Sequence, residues 1–278
     1  MRLVPAAAGT GIVFHRVDLD GFDIEASSRN VARVSYATSL MRKGVLISTT
    51  EHLLSAFVGL GIDNVIVELD NLELPILDGS ALPFVELIQK AGIRRQRRPR
   101  KYLKILRALE MREGNKFISV EPANSYFVSY CIDFPHPLIG KETFDLELSN
   151  GNYVREIAPA RTFGSRADEK AMRNMGLIRG ASRDNCIVLT RDALENGPLR
   201  YRDEFVRHKV LDLIGDLALL GKPILGKIVA DRAGHAMHTA LVSRILRDKT
   251  IWEEVTLPEE TNEPAVSYAA HASAGPSL

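Results

Sequence analysis

The stretch Glu204-Phe-Val-Arg-His-Lys-Val-Leu-Asp-Leu-Ile-Gly-Asp216 constrains this chain more than any other. Read as a helix, it puts His208 and Asp212 one turn apart on one face, and Asp216 extends that face by another turn. Phe205, Leu211, Leu213, Ile214, Leu217 and Leu220 cover much of the remaining surface, which predicts a largely buried helix. Buried charge is costly unless it is paired, and a metal ion is a common partner. Taken alone the His-x-x-x-Asp pair is a weak signal. A plain His–Asp hydrogen bond on a half-exposed helix is its commoner meaning.

The rest of the chain predicts an α+β protein built from two similar halves. Residues 1–47 read as short strands and turns, including strands at 12–14 and 45–47. Gly9-Thr-Gly11 lacks the fuller phosphate-loop fingerprints and reads as a turn. Ser48-Thr49-Thr50 supplies N-cap candidates for a helix over 51–58, and Gly59-Leu-Gly61 is expected to stop it. A strand at 64–69, an Asp78-Gly79 turn and a helix over 82–91 follow. The basic run Arg94–Lys101 reads as a solvated linker, with a domain boundary between residues 98 and 99. Strands are then expected at 102–107, 116–121, 127–134, 143–148, 186–189 and 226–230, and helices at 168–175 and around His208. The tail from Pro258, rich in Ala, Ser, Pro and Glu, is expected to be disordered at its end. The halves echo each other. A helix containing His52 runs into Gly59-Leu-Gly61 and an apolar strand, and a helix containing His208 runs into Gly221-Lys-Pro223 and another.

Composition removes several functional classes. A formal net charge of +1 argues against a nucleic-acid-binding surface. Two cysteines, Cys131 and Cys186, are too few for a disulfide framework or a thiolate zinc site, and fit a reducing compartment. The N-terminus lacks a signal-peptide core, and no apolar run approaches the roughly 18 residues of a membrane span. These features predict a cytoplasmic protein.

The candidates for chemistry are Glu51 and His52 on one helix, His208 and Asp212 on another, and His235 in a later loop. Two His and one Asp make an ordinary catalytic zinc set with one position open. Glu51 beside a ligand can then serve as the base for water. Adjacent helical residues diverge by about 100°, so Glu51 and His52 share a site only near the helix start.

Six stretches carry a family resemblance: Ser-Thr-Thr-Glu-His-Leu (48–53), Gly-Leu-Gly-Ile-Asp-Asn (59–64), Leu-Asp-Gly-Ser-Ala (77–81), Ala-Arg-Thr-Phe-Gly (160–164), Asp-Glu-Phe-Val-Arg-His-Lys-Val-Leu-Asp (203–212) and Ala-Gly-His (233–235). In this order the chain resembles the UDP-3-O-acyl-N-acetylglucosamine deacetylases (LpxC), zinc amidases of the lipid A pathway. The resemblance implies two α+β domains, over 1–98 and 99–278, each a mainly antiparallel sheet with helices, and the helices packed between the two sheets. It implies zinc, with Fe2+ as the alternative metal, on His52, His208 and Asp212, and Glu51 as general base. It further implies that His235 assists the transition state or leaving amine, that Asp216 orients His235, and that Thr162 polarises the carbonyl or its oxyanion. Phe163 lies in the same implied pocket, Lys209 is an implied substrate lysine, and Lys116 and Phe134 match positions that contact the diphosphate-sugar and the uracil. The implied partner is the UDP-3-O-acyl-N-acetylglucosamine substrate. No nucleic acid, membrane span or oligomer is expected.

Two departures accompany the resemblance. The family's first β-hairpin, with its Gly-Leu-His-Ser/Thr-Gly motif, precedes the position that Met1-Arg-Leu-Val-Pro5 matches. Either the start is assigned late or the first sheet is shortened, which would expose an edge. Ala181 stands where the family often has Gly, and its methyl is expected to narrow the acyl passage. Two rival readings are another metal-dependent amide deacetylase and a catalytically impaired sugar-nucleotide-binding paralogue. His15, His136, His238 and His271 are read as structural or solvent-exposed.

Overall fold

Alternating burial along the strands fixes two sheets whose apolar faces need cover. The computed structural model describes residues 1–32, 37–167 and 182–257. The expected helix at 168–175, Gly180, Ala181, His271 and the tail from Pro258 lie outside them. The first sheet contains β1 (Arg2–Pro5), β2 (Ile12–Arg16), β3 (Phe22–Glu25) and β6 (Val65–Leu69), in the order β1-β6-β2-β3. Between β3 and β6 come the hairpin β4 (Leu40–Arg42) and β5 (Val45–Ile47), then helix α1 (Glu51–Leu60). Helix α2 (Leu82–Ala91) follows β6.

The second sheet contains β7 (Lys101–Ile105), β8 (Leu109–Glu113), β9 (Lys116–Glu121), β10 (Tyr126–Phe134), β11 (Gly140–Glu147), β14 (Ile224–Asp231) and β15 (Trp252–Thr256). A small parallel pair, β12 (Phe163–Ser165) with β13 (Ile187–Leu189), stands apart. Helix α3 (Glu204–Leu217) lies between β13 and β14, and helix α4 (His235–Arg247) follows β14.

The two sheets repeat one pattern. In the first, β3 pairs antiparallel with β2, β2 parallel with β6, and β6 antiparallel with β1. In the second, β11 pairs antiparallel with β10, β10 parallel with β14, and β14 antiparallel with β9. Three strands, a helix, the inserted central strand and a second helix therefore occur twice, and α1 corresponds to α3. The echo between the His52 and His208 segments is this repeat. Helices α1 and α3 pack on each other, and α3 also lies on β10 and β11. One continuous core runs from Phe14 and Val67 through Leu53 and Phe57 of α1, and Leu211 and Ile214 of α3, to Val128 and Ile228. The fold is α+β, with helices between two sheets.

Several local expectations change. Thr50 does not cap α1, because its hydroxyl donates instead to the Thr38 carbonyl at 3.1 Å. Gly59 does not stop α1. It lies inside the helix, where a Cβ would overlap the Tyr153 ring, and Gly61 in the left-handed region (φ 73°) ends it. Strands β8 and β15 have no apolar run in the sequence because both are charged edge strands, Leu-Glu-Met-Arg-Glu and Trp-Glu-Glu-Val-Thr. His235 opens α4 rather than lying in a loop, since the Gly234 carbonyl accepts the N–H groups of Met237 and His238. The basic run is exposed but tied down: Arg100 pairs with Asp63, and Gln96 bonds Asn64 and the Ala6 carbonyl. Among the described residues no helix is long and apolar enough to cross a membrane.

Helices α1 and α3 touch most closely where Gly215 faces the backbone of Glu51. A Cβ at 215 would collide with the Glu51 carbonyl oxygen, so the missing side chain sets the spacing. Gly215→Ala should therefore lower stability by about 1–3 kcal/mol, the usual cost of overpacking. Urea unfolding checks this, and an unchanged midpoint would show that the crossing has slack.

Candidate functional site

The α1–α3 crossing brings the first turn of one helix against the middle of the other. His52, His208 and Asp212 converge there, all buried, with one ligand atom from each within 4.8 Å of the others. Asp212 Oδ1 lies 3.3 Å from His208 Nε2 and 3.8 Å from His52 Nε2, too far for good hydrogen bonds. Two ligands each about 2.1 Å from a tetrahedral centre lie about 3.4 Å apart, so the spacing suits an ion between them. His208 Nδ1 is 3.0 Å from the Ala160 carbonyl, which fixes that nitrogen as the N–H and leaves Nε2 a lone pair. Among the described residues His52 Nδ1 is buried without a hydrogen-bond partner.

The protonation states match that donor set. Burial and the neighbouring His208 push His52 down to about 3, and burial also lowers His208, so both imidazoles are neutral. Burial opposes the Asp212 carboxylate, yet Lys209 above all, with the charged His235, holds its pKa well below the usual range. Lys209 Nζ sits 2.6 Å from Asp212 Oδ2, leaving Oδ1 toward the two imidazoles. Two neutral nitrogens and one ionised oxygen fit a divalent ion such as zinc.

A second buried group adjoins the first. Asp216 Oδ2 accepts from Nδ1 of His235 at 2.7 Å and of His238 at 2.8 Å. The two histidines are three apart on α4, so they share a face and reach the same carboxylate. His235 Nε2 then points toward Asp212, 3.8 Å from Oδ2. Burial works against the His235 cation, but Asp216, Asp212 and Glu51 outweigh it and raise its pKa to about 9. His238 stays neutral through burial, with Nε2 3.1 Å from the Tyr130 hydroxyl. Glu51 is buried at the start of α1, and its Oε2 accepts the Thr38 N–H at 3.0 Å. Burial, opposed by His235 but reinforced by Asp212 and Asp216, raises its pKa to about 7. Such a carboxyl group is poised to take up and release a proton near neutrality.

The remaining expected residues are placed unevenly. Phe163 stacks edge-to-face with Phe205 (4.9 Å), Phe134 (5.6 Å) and His208 (6.3 Å), and Lys209 Nζ lies 5.6 Å from its ring centre. Phe134, Phe163 and Lys209 thus form one wall beside His208. Thr162 is held by its backbone, from its N–H to Gly79 O and from Ile187 N–H to its own carbonyl, each at 2.8 Å. Among the described residues its hydroxyl makes no hydrogen bond to the cluster. Lys116 is exposed at the end of β9, next to Phe117, which lies opposite Asp231. That is the sheet end from which the chain turns to His235, but Lys116 is not in contact with the cluster. His15 and His136 are engaged elsewhere, with Asp23 and the Thr190 carbonyl.

Two parts of the site have no counterpart in the sequence reading. The buried carboxylate of Glu204 accepts from the Arg161 side chain, the Arg161 N–H and the Arg200 N–H. Burial opposes its ionisation, but the arginines hold its pKa below the ordinary value. This clamp ties the segment carrying Ala160 and Thr162 to the start of α3. An acidic residue opening a buried helix was the available signal. The other part is Thr38, which no spacing rule connects to residues 178 and 197 positions away.

Comparison with known proteins gives consistent matches. The family described as "LpxC: UDP-3-O-acyl N-acetylglycosamine deacetylase" matches residues 1–247. A UDP-3-O-acyl-N-acetylglucosamine deacetylase of Solibacter usitatus is 56% identical over 260 residues, covering 93% of this chain and 88% of the relative. Proteins of the same name from Xanthomonas axonopodis pv. citri and Xylella fastidiosa are 45% and 46% identical over 274 residues, covering 97% and 96% of this chain and 90% of each relative.

The donor set predicts a metal-dependent difference between variants. His208→Ala and Asp212→Ala should each bind zinc at least about tenfold more weakly, because a three-ligand site has no spare donor. Metal analysis after dialysis against a graded chelator checks this. Wild-type zinc retention in both variants would remove the ion from this cluster.

Proposed function

The chain belongs to the UDP-3-O-acyl-N-acetylglucosamine deacetylase (LpxC) family, and on that premise we propose that it removes the N-acetyl group of UDP-3-O-acyl-N-acetylglucosamine, releasing acetate, in lipid A biosynthesis. The observation that carries this reading is the convergence of His52, His208 and Asp212 beside Glu51 and an Asp216-held His235. His52, His208 and Asp212 are the residues that would hold zinc, with Fe2+ as the alternative. A bound ion would supply Lewis acidity to the acetamide carbonyl and to water.

The protein's own groups do the rest. Glu51 takes a proton from the water that attacks the acetamide carbon, while Thr38 N–H keeps one carboxylate oxygen in place. His235 holds a proton at Nε2 near Asp212, where it stabilises the developing oxyanion, and Asp216 fixes the ring from behind. Thr162 is proposed as a further donor to that oxygen. The carbon–nitrogen bond then breaks as Glu51 returns the proton it took from water to the leaving nitrogen, giving the free amine and acetate. Lys209, Phe163 and Phe134 form a wall suited to the sugar-nucleotide, and Lys116 is proposed at its outer end. The same reading takes residues 1–98 and 99–278 as two domains, supported by the repeated strand pattern, and takes the protein as cytoplasmic and monomeric.

Acetate release from the acylated UDP-sugar by the zinc-loaded protein tests the function; a purified, metal-replete protein that releases none would overturn it. Glu51→Gln should keep its metal and lose about 10²–10⁴-fold in turnover, since the amide keeps the shape but accepts no proton. More than about a tenth of the wild-type rate would exclude Glu51 as the principal base. Turnover should rise with pH as Glu51 deprotonates near about 7 and fall as His235 deprotonates near about 9. His235→Gln should flatten the basic limb. His238→Gln should keep that limb but lower thermal stability, because His238 is fully buried and bonded to Asp216. A normal basic limb in His235→Gln would mean that another group sets it.

A further inference from the structure

We propose that Thr38 is a positioning residue of this site, its hydroxyl locking Asp216, and through it His235, while its backbone N–H locks Glu51. Thr38 is fully buried. Its hydroxyl donates to Asp216 Oδ1 at 2.5 Å, and its oxygen lies 3.2 Å from His235 Nδ1. Its N–H donates to Glu51 Oε2 at 3.0 Å. Its carbonyl accepts from the Thr50 hydroxyl at 3.1 Å and the Thr50 N–H at 3.3 Å, which ties the Thr38 segment to the start of α1. One residue from the first half of the chain thus touches the base on α1, the carboxylate on α3 and the histidine on α4.

The geometry assigns each contact a separate task. Asp216 Oδ2 is shared by two imidazole N–H groups, an arrangement that depends on the carboxylate keeping its rotation about Cβ–Cγ. A donor on Oδ1 fixes that rotation, and among the described residues the Thr38 hydroxyl is the donor there. The hydroxyl hydrogen is committed to Asp216, so the His235 Nδ1–H lies between Asp216 Oδ2 and the Thr38 oxygen. Both partners hold the Nδ1–H in place and favour the same ring orientation, with Nε2 toward Asp212. The Thr38 N–H holds Glu51 Oε2, and among the described residues nothing bonds the other oxygen. Each of these contacts uses the hydroxyl or the backbone, and none uses the methyl group.

The test compares Thr38→Val, which keeps the shape and removes the hydroxyl, with Thr38→Ser, which keeps the hydroxyl. The effect on turnover rests on the deacetylase reading, so a second readout is taken on the metal-free protein: the imidazole ¹⁵N and N–H proton resonances of His235. In Thr38→Val, kcat should fall by about 10- to 100-fold, the usual loss for an outer partner of a site residue, with KM and zinc content unchanged. Thr38→Ser should stay within about threefold of wild type. The His235 Nδ1–H resonance should move or broaden in Thr38→Val and persist in Thr38→Ser. In an Asp216→Asn background, Thr38→Val should add little further loss, because coupled residues are not additive. An unchanged His235 resonance in Thr38→Val overturns the proposal whether or not the wild type releases acetate. Equal losses in both variants, or full additivity with Asp216→Asn, overturn it as well. A wild type that shows the expected resonances but no acetate release sinks the deacetylase reading alone.

Discussion

Everything at this site depends on two helices approaching closely enough for their backbones to touch. Gly215 is in the middle of α3, and its bare Cα meets the Glu51 carbonyl at the start of α1. Interhelical distances depend on the side chains at the contact, and here there is none on one side. That proximity lets His52 on one helix reach His208 and Asp212 on the other. The same crossing puts Glu51 beside Asp216, because residues 212, 215 and 216 lie within one turn of α3. The repeated strand pattern explains how the crossing arises. Each half supplies one long apolar helix to the layer between the sheets, and each helix brings one imidazole.

Burying so many ionisable groups together demands internal balance. Asp212 and Asp216 are held ionised by Lys209 and His235, so the two buried negative charges face two positive ones. His52, His208 and His238 are neutral through burial. Glu51 is left near its titration point, with its proton as the adjustable charge. A cation on His52, His208 and Asp212 would favour its carboxylate form. The division of labour between the carboxylates follows from position. Asp212 presents one oxygen to two imidazoles, Asp216 spends both oxygens on hydrogen bonds, and among the described residues Glu51 has one oxygen hydrogen-bonded, by the Thr38 N–H.

Much of this was legible in the sequence. The 204–216 helix, its burial and its His208–Asp212–Asp216 face followed from a 3.6-residue period in an apolar background. The Glu51-His52 pair at a helix start was legible for the same reason. The motifs around residues 160–164 and 203–212 drew attention to the right segments, but the Arg161–Glu204 clamp was invisible because it joins side chains 43 residues apart. Thr38 carries no sequence signal because it sits in no regular element, and only the tertiary fold brings it to three helices. In the sequence His235 reads as a loop residue because Gly234 reads as a breaker, whereas the Gly234 carbonyl opens the helix that aligns His235 with His238. Gly59 misled in the opposite direction: it serves packing against Tyr153 rather than termination.

The proposal stands or falls on the α1–α3 crossing, rather than the neighbouring Asp216–His235–His238 cluster, being the place that would hold a metal. Both groups bring three ligand atoms within 4.8 Å of one another, but His235 and His238 spend their Nδ1 protons on Asp216, whereas the neutral His52 and His208 turn Nε2 toward Asp212. Anomalous diffraction at the zinc edge from crystals of the zinc-loaded protein separates them directly. The account predicts one peak about 2.0–2.2 Å from His52 Nε2, His208 Nε2 and Asp212 Oδ1. A principal peak bound by Asp216, His235 and His238 would contradict it.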